Sequence, residues 1–102
     1  IGNRAPGNLI LLVIDNGSYG STGDQATYTS EATSLAAMAR GGGCQSVIEC
    51  PGEDTAGVLV DALSAKQSSV IISKVAPGNR LLPVVPLHPI VLRERFKKAI
   101  QM

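Results

Sequence analysis

Leu9-Ile10-Leu11-Leu12-Val13-Ile14 runs without a spacer into Asp15-Asn16-Gly17-Ser18-Tyr19-Gly20-Ser21-Thr22-Gly23-Asp24-Gln25. A continuous apolar run of this length reads as a strand buried on both faces, as in parallel sheets covered by helices. The polar stretch after it then lies at the carboxyl end of that strand, where open α/β sheets hold their ligands. Its glycines let the backbone approach an anion, and its amides and hydroxyls supply hydrogen bonds or metal ligands. The segment therefore reads as a ligand-binding loop for a phosphate and a hard cation.

Downstream, helix and strand patterns alternate. Residues 30–40 are expected to form a helix, with Thr29 or Ser30 as cap, Glu31 in the first turn and Leu35, Met38 and Ala39 as the apolar stripe. Gly41-Gly42-Gly43 should end it. Residues 46–50 read as a second strand. After the Pro51-Gly52 turn, residues 54–66 read as a helix with the stripe Ala56, Leu59, Val60 and Leu63. Residues 69–75 read as a third strand. Pro77, Gly78, Pro83, Pro86 and Pro89 preclude regular structure in the next connection. A last helix should begin at Pro89, capped by His88, with Leu92, Phe96, Ala99 and Ile100 turned inward. Strands separated by helices imply right-handed crossovers and a parallel sheet. The expected fold is α/β, a Rossmann-like three-layer α/β/α arrangement. Three strands are few for it, so the sheet is expected to be incomplete and to expose an apolar face or edge.

Bulk properties narrow the function. At 102 residues the chain can hold one domain or part of one. A net charge of +1 and 3% aromatic content give no footprint for nucleic acid, which calls for a basic surplus and stacking rings. Arg93, Arg95, Lys97 and Lys98 read as a solvated helix face. The run 9–14 is too short to span a bilayer, which takes about 20 residues, so no membrane association is expected. Cys44, Cys50 and the distant His88 do not make a zinc pattern and read as two reduced thiols and a cap, in keeping with a cytoplasmic protein.

The polar loop lacks the Gly-Lys-Ser/Thr of a P-loop, and its glycines at 17, 20 and 23 do not match the dinucleotide fingerprint. What it resembles is the diphosphate-binding domain of thiamine-diphosphate enzymes. That motif opens with Gly-Asp-Gly and closes on a strand ending in Asn-Asn, where this chain has Asp15-Asn16. Within the family, residues 8–27, Lys74-Val75-Ala76-Pro77-Gly78-Asn79 and Arg95-Phe96-Lys97-Lys98-Ala99-Ile100 are similar to the sulfopyruvate decarboxylase beta-type branch. The phosphonopyruvate decarboxylases are the next branch, with a His-Asp pair where this chain has Tyr19-Gly20.

The resemblance implies thiamine diphosphate and Mg²⁺ as cofactors and decarboxylation of a 2-oxo acid, with sulfopyruvate becoming sulfoacetaldehyde in coenzyme M biosynthesis. It implies that the Asn16 side-chain oxygen and the Ser18 backbone carbonyl ligate the metal. Asp15, Asn16, Ser18, Tyr19, Gly20, Ser21 and Thr22 would surround the cofactor. It implies an alpha-type partner subunit or domain in a hetero-oligomer, which supplies the activating Glu, so no residue here need be catalytic. The residues alone leave plainer readings open. Asp15-Asn16-Gly17 can be a simple turn, Ser21 and Thr22 can satisfy loop backbone, Gln25 and Thr27 can be structural, and Tyr19 can plug the core. The Gly-Asp-Gly element is absent from the 102 residues. The chain is therefore expected to be the C-terminal part of one cofactor-binding domain, residues 1–102, and inactive alone. Other readings are a 2-oxoacid:ferredoxin oxidoreductase beta chain and a non-catalytic Rossmann-like binding module.

Overall fold

The computed structural model describes residues 1–83 and 85–101. In chain order its elements are strand β1 (Ile10–Asp15), short strands β2 (Ser18–Tyr19) and β3 (Gln25–Ala26), helix α1 (Leu35–Gly41), strand β4 (Ser46–Pro51), helix α2 (Thr55–Ser64), strand β5 (Ser69–Lys74) and helix α3 (Pro89–Ile100). Single 3-10 turns at Tyr28–Ser30 and Gly52–Asp54 precede α1 and α2. One sheet has the order β1-β5-β4, with both pairings parallel.

The chain crosses from β1 to β4 and returns by one strand to β5. Because the direction of travel reverses, crossovers of one hand put the two helices on opposite faces. On one face Ala36 of α1 packs with Val70 and Ile72, surrounded by Val13, Leu35, Ala39, Cys44 and Val47. On the other, Ala62 of α2 packs with Ile71 and Cys50, joined by Ile10, Val58 and Leu59. Successive residues of β5 thus serve opposite faces, as the period of two requires. The result is the three-layer α/β/α, Rossmann-like arrangement that the sequence predicts.

The centre of the sheet differs from expectation. β5 is the strand buried on both faces, with Ile71 and Ile72 at 0% exposure. Buried Ser69 and Ser73 find hydroxyl partners in Ser46 (3.0 Å) and Thr55 (2.6 Å), so polar ends are compatible with burial. β1 is an edge strand. A helix about 10 Å across covers roughly two strands spaced about 4.8 Å apart. Both helices lie over β4 and β5, leaving Leu11, Leu12 and Ile14 of β1 exposed. The sheet has the bare apolar edge expected of it, and the strand that forms it is β1.

The helices also shift. α1 starts at Leu35 because Ser34 caps it, its hydroxyl accepting the Ala37 N–H at 3.1 Å. Thr29 and Ser30 are occupied elsewhere, Thr29 with the Asp15 carboxylate and Ser30 with the Thr27 carbonyl. Ala36 takes the buried place expected of Met38, which is exposed. At the far end the Gly43 N–H bonds the Arg40 carbonyl (2.9 Å) and the Cys44 N–H bonds the Ala39 carbonyl (3.1 Å). This is the Schellman pattern, which needs a left-handed residue, and Gly43 has φ +88°. Gly43→Ala is expected to cost about 1–2 kcal/mol in urea unfolding; unchanged stability would mean the turn closes another way.

α2 buries Ala62 and packs half-buried Val58 and Leu59 beside it, while Ala56, Val60 and Leu63 of the expected stripe are exposed. Both stripes are apolar, so periodicity alone could not choose between them. The hydrogen bond between the hydroxyls of Thr55 and buried Ser73 fixes the rotation. α3 has Pro89 in its first turn and the His88 imidazole accepting the Ile90 N–H at 3.3 Å, as expected. Leu92, Phe96, Ala99 and Ile100 are not inward, since every residue of α3 is exposed.

Candidate functional site

At the carboxyl end of β1 the polar stretch forms a small hairpin where the sequence suggested an irregular loop. β2 and β3 pair antiparallel, Ser18 with Ala26 and Tyr19 with Gln25. The tip is closed by the Tyr19 carbonyl, which accepts N–H groups of Thr22 (3.1 Å) and Asp24 (3.2 Å). Asp24 is held left-handed at φ +58° and accepts the Ser18 hydroxyl at 2.7 Å. Gln25 bonds the Thr22 carbonyl at 3.3 Å and so serves the hairpin itself.

Asp15 anchors the base. It is 8% exposed. One carboxylate oxygen accepts the Gly17 N–H (3.0 Å) and the Thr29 hydroxyl (2.7 Å), and the other accepts the Lys74 ammonium at 2.6 Å. Asp15 and Lys74 are register partners at the ends of β1 and β5. The Lys74 hydrogen bond holds the carboxyl below the ordinary value. Burial opposes this, and the Thr29 and Gly17 bonds add to it.

Asn16 follows on the loop side. Its side-chain oxygen accepts the Ser18 N–H at 3.1 Å, an Asx turn completed by Gly17 at φ +63°. One lone pair remains. The Thr27 N–H bonds the Gly17 carbonyl at 2.9 Å, which makes Ser18 and Ala26 a non-hydrogen-bonded pair. The Ser18 carbonyl therefore points away from the partner strand. Two hard oxygens, one amide and one carbonyl, are thus left on adjoining turns of backbone. That donor set fits Mg²⁺, which takes its remaining ligands from water and phosphate. Beside them a hollow of about 350 Å³ is lined by Gly17, Ser18, Asp24, Ala26, Ser30 and Pro77.

Of the other candidates, Tyr19 is exposed and does not plug the core. Ser21 and Thr22 lie at the exposed tip. Gly20 lies against the segment after β5, where an added Cβ would sit 3.4 Å from both the Gly78 carbonyl and Asn79. Lys74, Thr29 and Asp24 were not among the site residues expected from the sequence, and Thr29 serves Asp15 rather than capping a helix. A signal existed for Lys74: an acid and a lysine each end an apolar strand, and parallel pairing brings such ends together. Among the described residues no three His, Cys, Asp or Glu side chains cluster as a metal site, and both cysteines are free. No helix there is long and apolar enough to cross a membrane.

No family model matches the chain, and no solved structure matches it. Curated relatives do. The chain is 38% identical over 101 residues to sulfopyruvate decarboxylase subunit beta of Methanocaldococcus jannaschii, covering 99% of this chain and 54% of that protein. It is 31% identical over 106 residues to the sulfopyruvate decarboxylase of Methanosarcina acetivorans, covering 100% of this chain and 27% of that protein. It is 38% identical over 80 residues to the phosphonopyruvate decarboxylase of Streptomyces viridochromogenes, covering 78% and 20%. The chain spans about half the length of the beta subunits it matches. Over nearly all of its residues the chain is homologous to part of the sulfopyruvate decarboxylase beta subunit and, with it, to the phosphonopyruvate decarboxylases.

Proposed function

We propose that residues 1–102 are the C-terminal part of a thiamine-diphosphate-binding domain in the beta-type subunit of a Mg²⁺-dependent 2-oxoacid decarboxylase. The observation that carries the reading is the pair of free oxygens on Asn16 and Ser18 at the carboxyl end of β1, in a chain homologous to such decarboxylases. The substrate is sulfopyruvate, released as sulfoacetaldehyde and CO₂ on the way to coenzyme M. When bound, thiamine diphosphate supplies the electron sink for CO₂ departure. The chain's own work is to hold and orient. Asn16 and Ser18 offer oxygens to Mg²⁺, and Asp15 fixes the turn that presents them. Tyr19, Gly20, Ser21 and Thr22 form the rim of the hairpin toward the cofactor. The activating acid comes from an alpha-type partner, in a cytoplasmic hetero-oligomer. The two unpaired cysteines are in keeping with a reducing compartment.

The similarity to a phosphonopyruvate decarboxylase favours a second substrate reading. Both substrates are 2-oxo acids with a second anionic head, so one experiment separates them. The protein at its natural length, joined by its alpha-type partner, is expected to release CO₂ from sulfopyruvate only when Mg²⁺ and thiamine diphosphate are present. Values of kcat/KM for sulfopyruvate, phosphonopyruvate and pyruvate give the specificity. Preference for phosphonopyruvate would reject the substrate and keep the cofactors. No turnover of any of the three would reject the reading.

A further inference from the structure

We infer that Lys74 is a positioning residue for the 18–26 hairpin, setting the oxygens of Asn16 and Ser18 through its bridge to Asp15; this rests on the proposed cofactor reading. β5 is the fixed element of the molecule, buried on both faces. Lys74 ends it, and its ammonium reaches across to Asp15 (2.6 Å) and to the Thr29 carbonyl (3.4 Å). From Asp15 the bonds run to the Gly17 N–H and the Thr29 hydroxyl. The Thr29 hydroxyl meets that of Thr27 at 2.7 Å, and the Thr27 N–H returns to the Gly17 carbonyl. The ring closes around the base of the hairpin. The coil after β5 also touches the tip, because Gly78 and Asn79 lie against Gly20. The base is thus referred to β5 itself and the tip to the coil that follows it.

Without the ammonium, Asp15 is a nearly buried carboxylate with no countercharge, a costly state that it escapes by turning to water. Turning releases the Gly17 N–H and the Thr29 hydroxyl, and the Asx turn carrying Asn16 loses its base. An ion pair serving only stability would not predict this, because its loss would loosen sheet and hairpin alike.

The test is amide hydrogen exchange on the cofactor-free protein at its natural length, joined by its alpha-type partner, together with calorimetric titration of thiamine diphosphate in Mg²⁺. In Lys74→Met, exchange at Gly17 and Thr27 is expected to speed up by about tenfold or more while Ile71 and Ile72 stay protected. Affinity for the cofactor is expected to fall by about tenfold. Lys74→Arg, which keeps the charge, should return both toward wild type. Unchanged exchange at Gly17 and Thr27, or equal loss of protection at Ile71, overturns the inference. So does loosened exchange with wild-type cofactor affinity. Failure of the wild-type protein to bind thiamine diphosphate rejects the cofactor reading, and the exchange data alone then decide whether Lys74 holds the hairpin.

Discussion

Asn16→Ala is expected to weaken Mg²⁺-dependent binding of thiamine diphosphate by about a hundredfold, with little change in fold stability. The side chain is half-buried and, among the described residues, its one side-chain hydrogen bond is the Asx-turn contact from the Ser18 N–H. Losing that contact costs the fold about 1 kcal/mol at most. Losing a hard oxygen costs the proposed metal site far more, because Asn16 and Ser18 are the two oxygens proposed to hold the ion. Asn16→Asp is the informative companion, since it keeps an oxygen in place. Calorimetry on the natural-length protein gives the affinities, and urea unfolding gives the stability. Wild-type affinity in Asn16→Ala would remove the metal assignment whatever the substrate.

For Asp15→Ala the largest expected effect is on the fold itself: a loss of stability of about 2–3 kcal/mol. Four groups meet at this carboxylate or its bridge: the Gly17 N–H, the Thr29 hydroxyl, the Lys74 ammonium and, through Lys74, the Thr29 carbonyl. Lys74 is 37% exposed and can rehydrate, which keeps the cost at the lower end for a broken pair. The same carboxylate shapes the acid limb. Its value in the folded chain lies below the ordinary carboxylate value, so between the two values the unfolded chain binds more protons. The bridge therefore contributes fully above about pH 4 and is lost as pH falls through the folded value. Urea midpoints from pH 7 down to pH 2 should show wild type losing its margin over Asp15→Ala across that lower range. A parallel decline of the two proteins would sink the assignment, as would a stability change within about 0.5 kcal/mol for Asp15→Ala.

Much of the fold was legible because strand and helix patterns alternate with clear punctuation. The three strands lie within a residue of their expected places, and the glycine stop after α1 and the His88-Pro89 start of α3 hold. What failed were choices that one element cannot make alone. Residues 9–14 are the more apolar run, yet the strand flanked by serines is the central one, because hydroxyls from β4 and α2 meet those serines. α2 carries two apolar stripes and its neighbour Ser73 selects one. The hairpin was missed because two-residue strands leave no periodicity to read. Within the site, the loop could be read as ligand-binding from its chemistry and place, and its proposed ligands from the resemblance, whereas Lys74 required knowing that β1 and β5 pair in register.

That pairing has a consequence for the order in which the molecule assembles. β4 and β5 meet across 23 positions of chain, whereas β1 and β5 meet across 59. Closing the longer loop costs more entropy and returns nothing until β5 is in place. The β4-α2-β5 unit is therefore expected to form first, with β1 joining that sheet after it. During that interval its leucines and isoleucines lack the β5 partner they have in the finished sheet. The Asp15–Lys74 bridge is then among the final contacts made, so the loop that would meet the cofactor takes shape only when folding is complete.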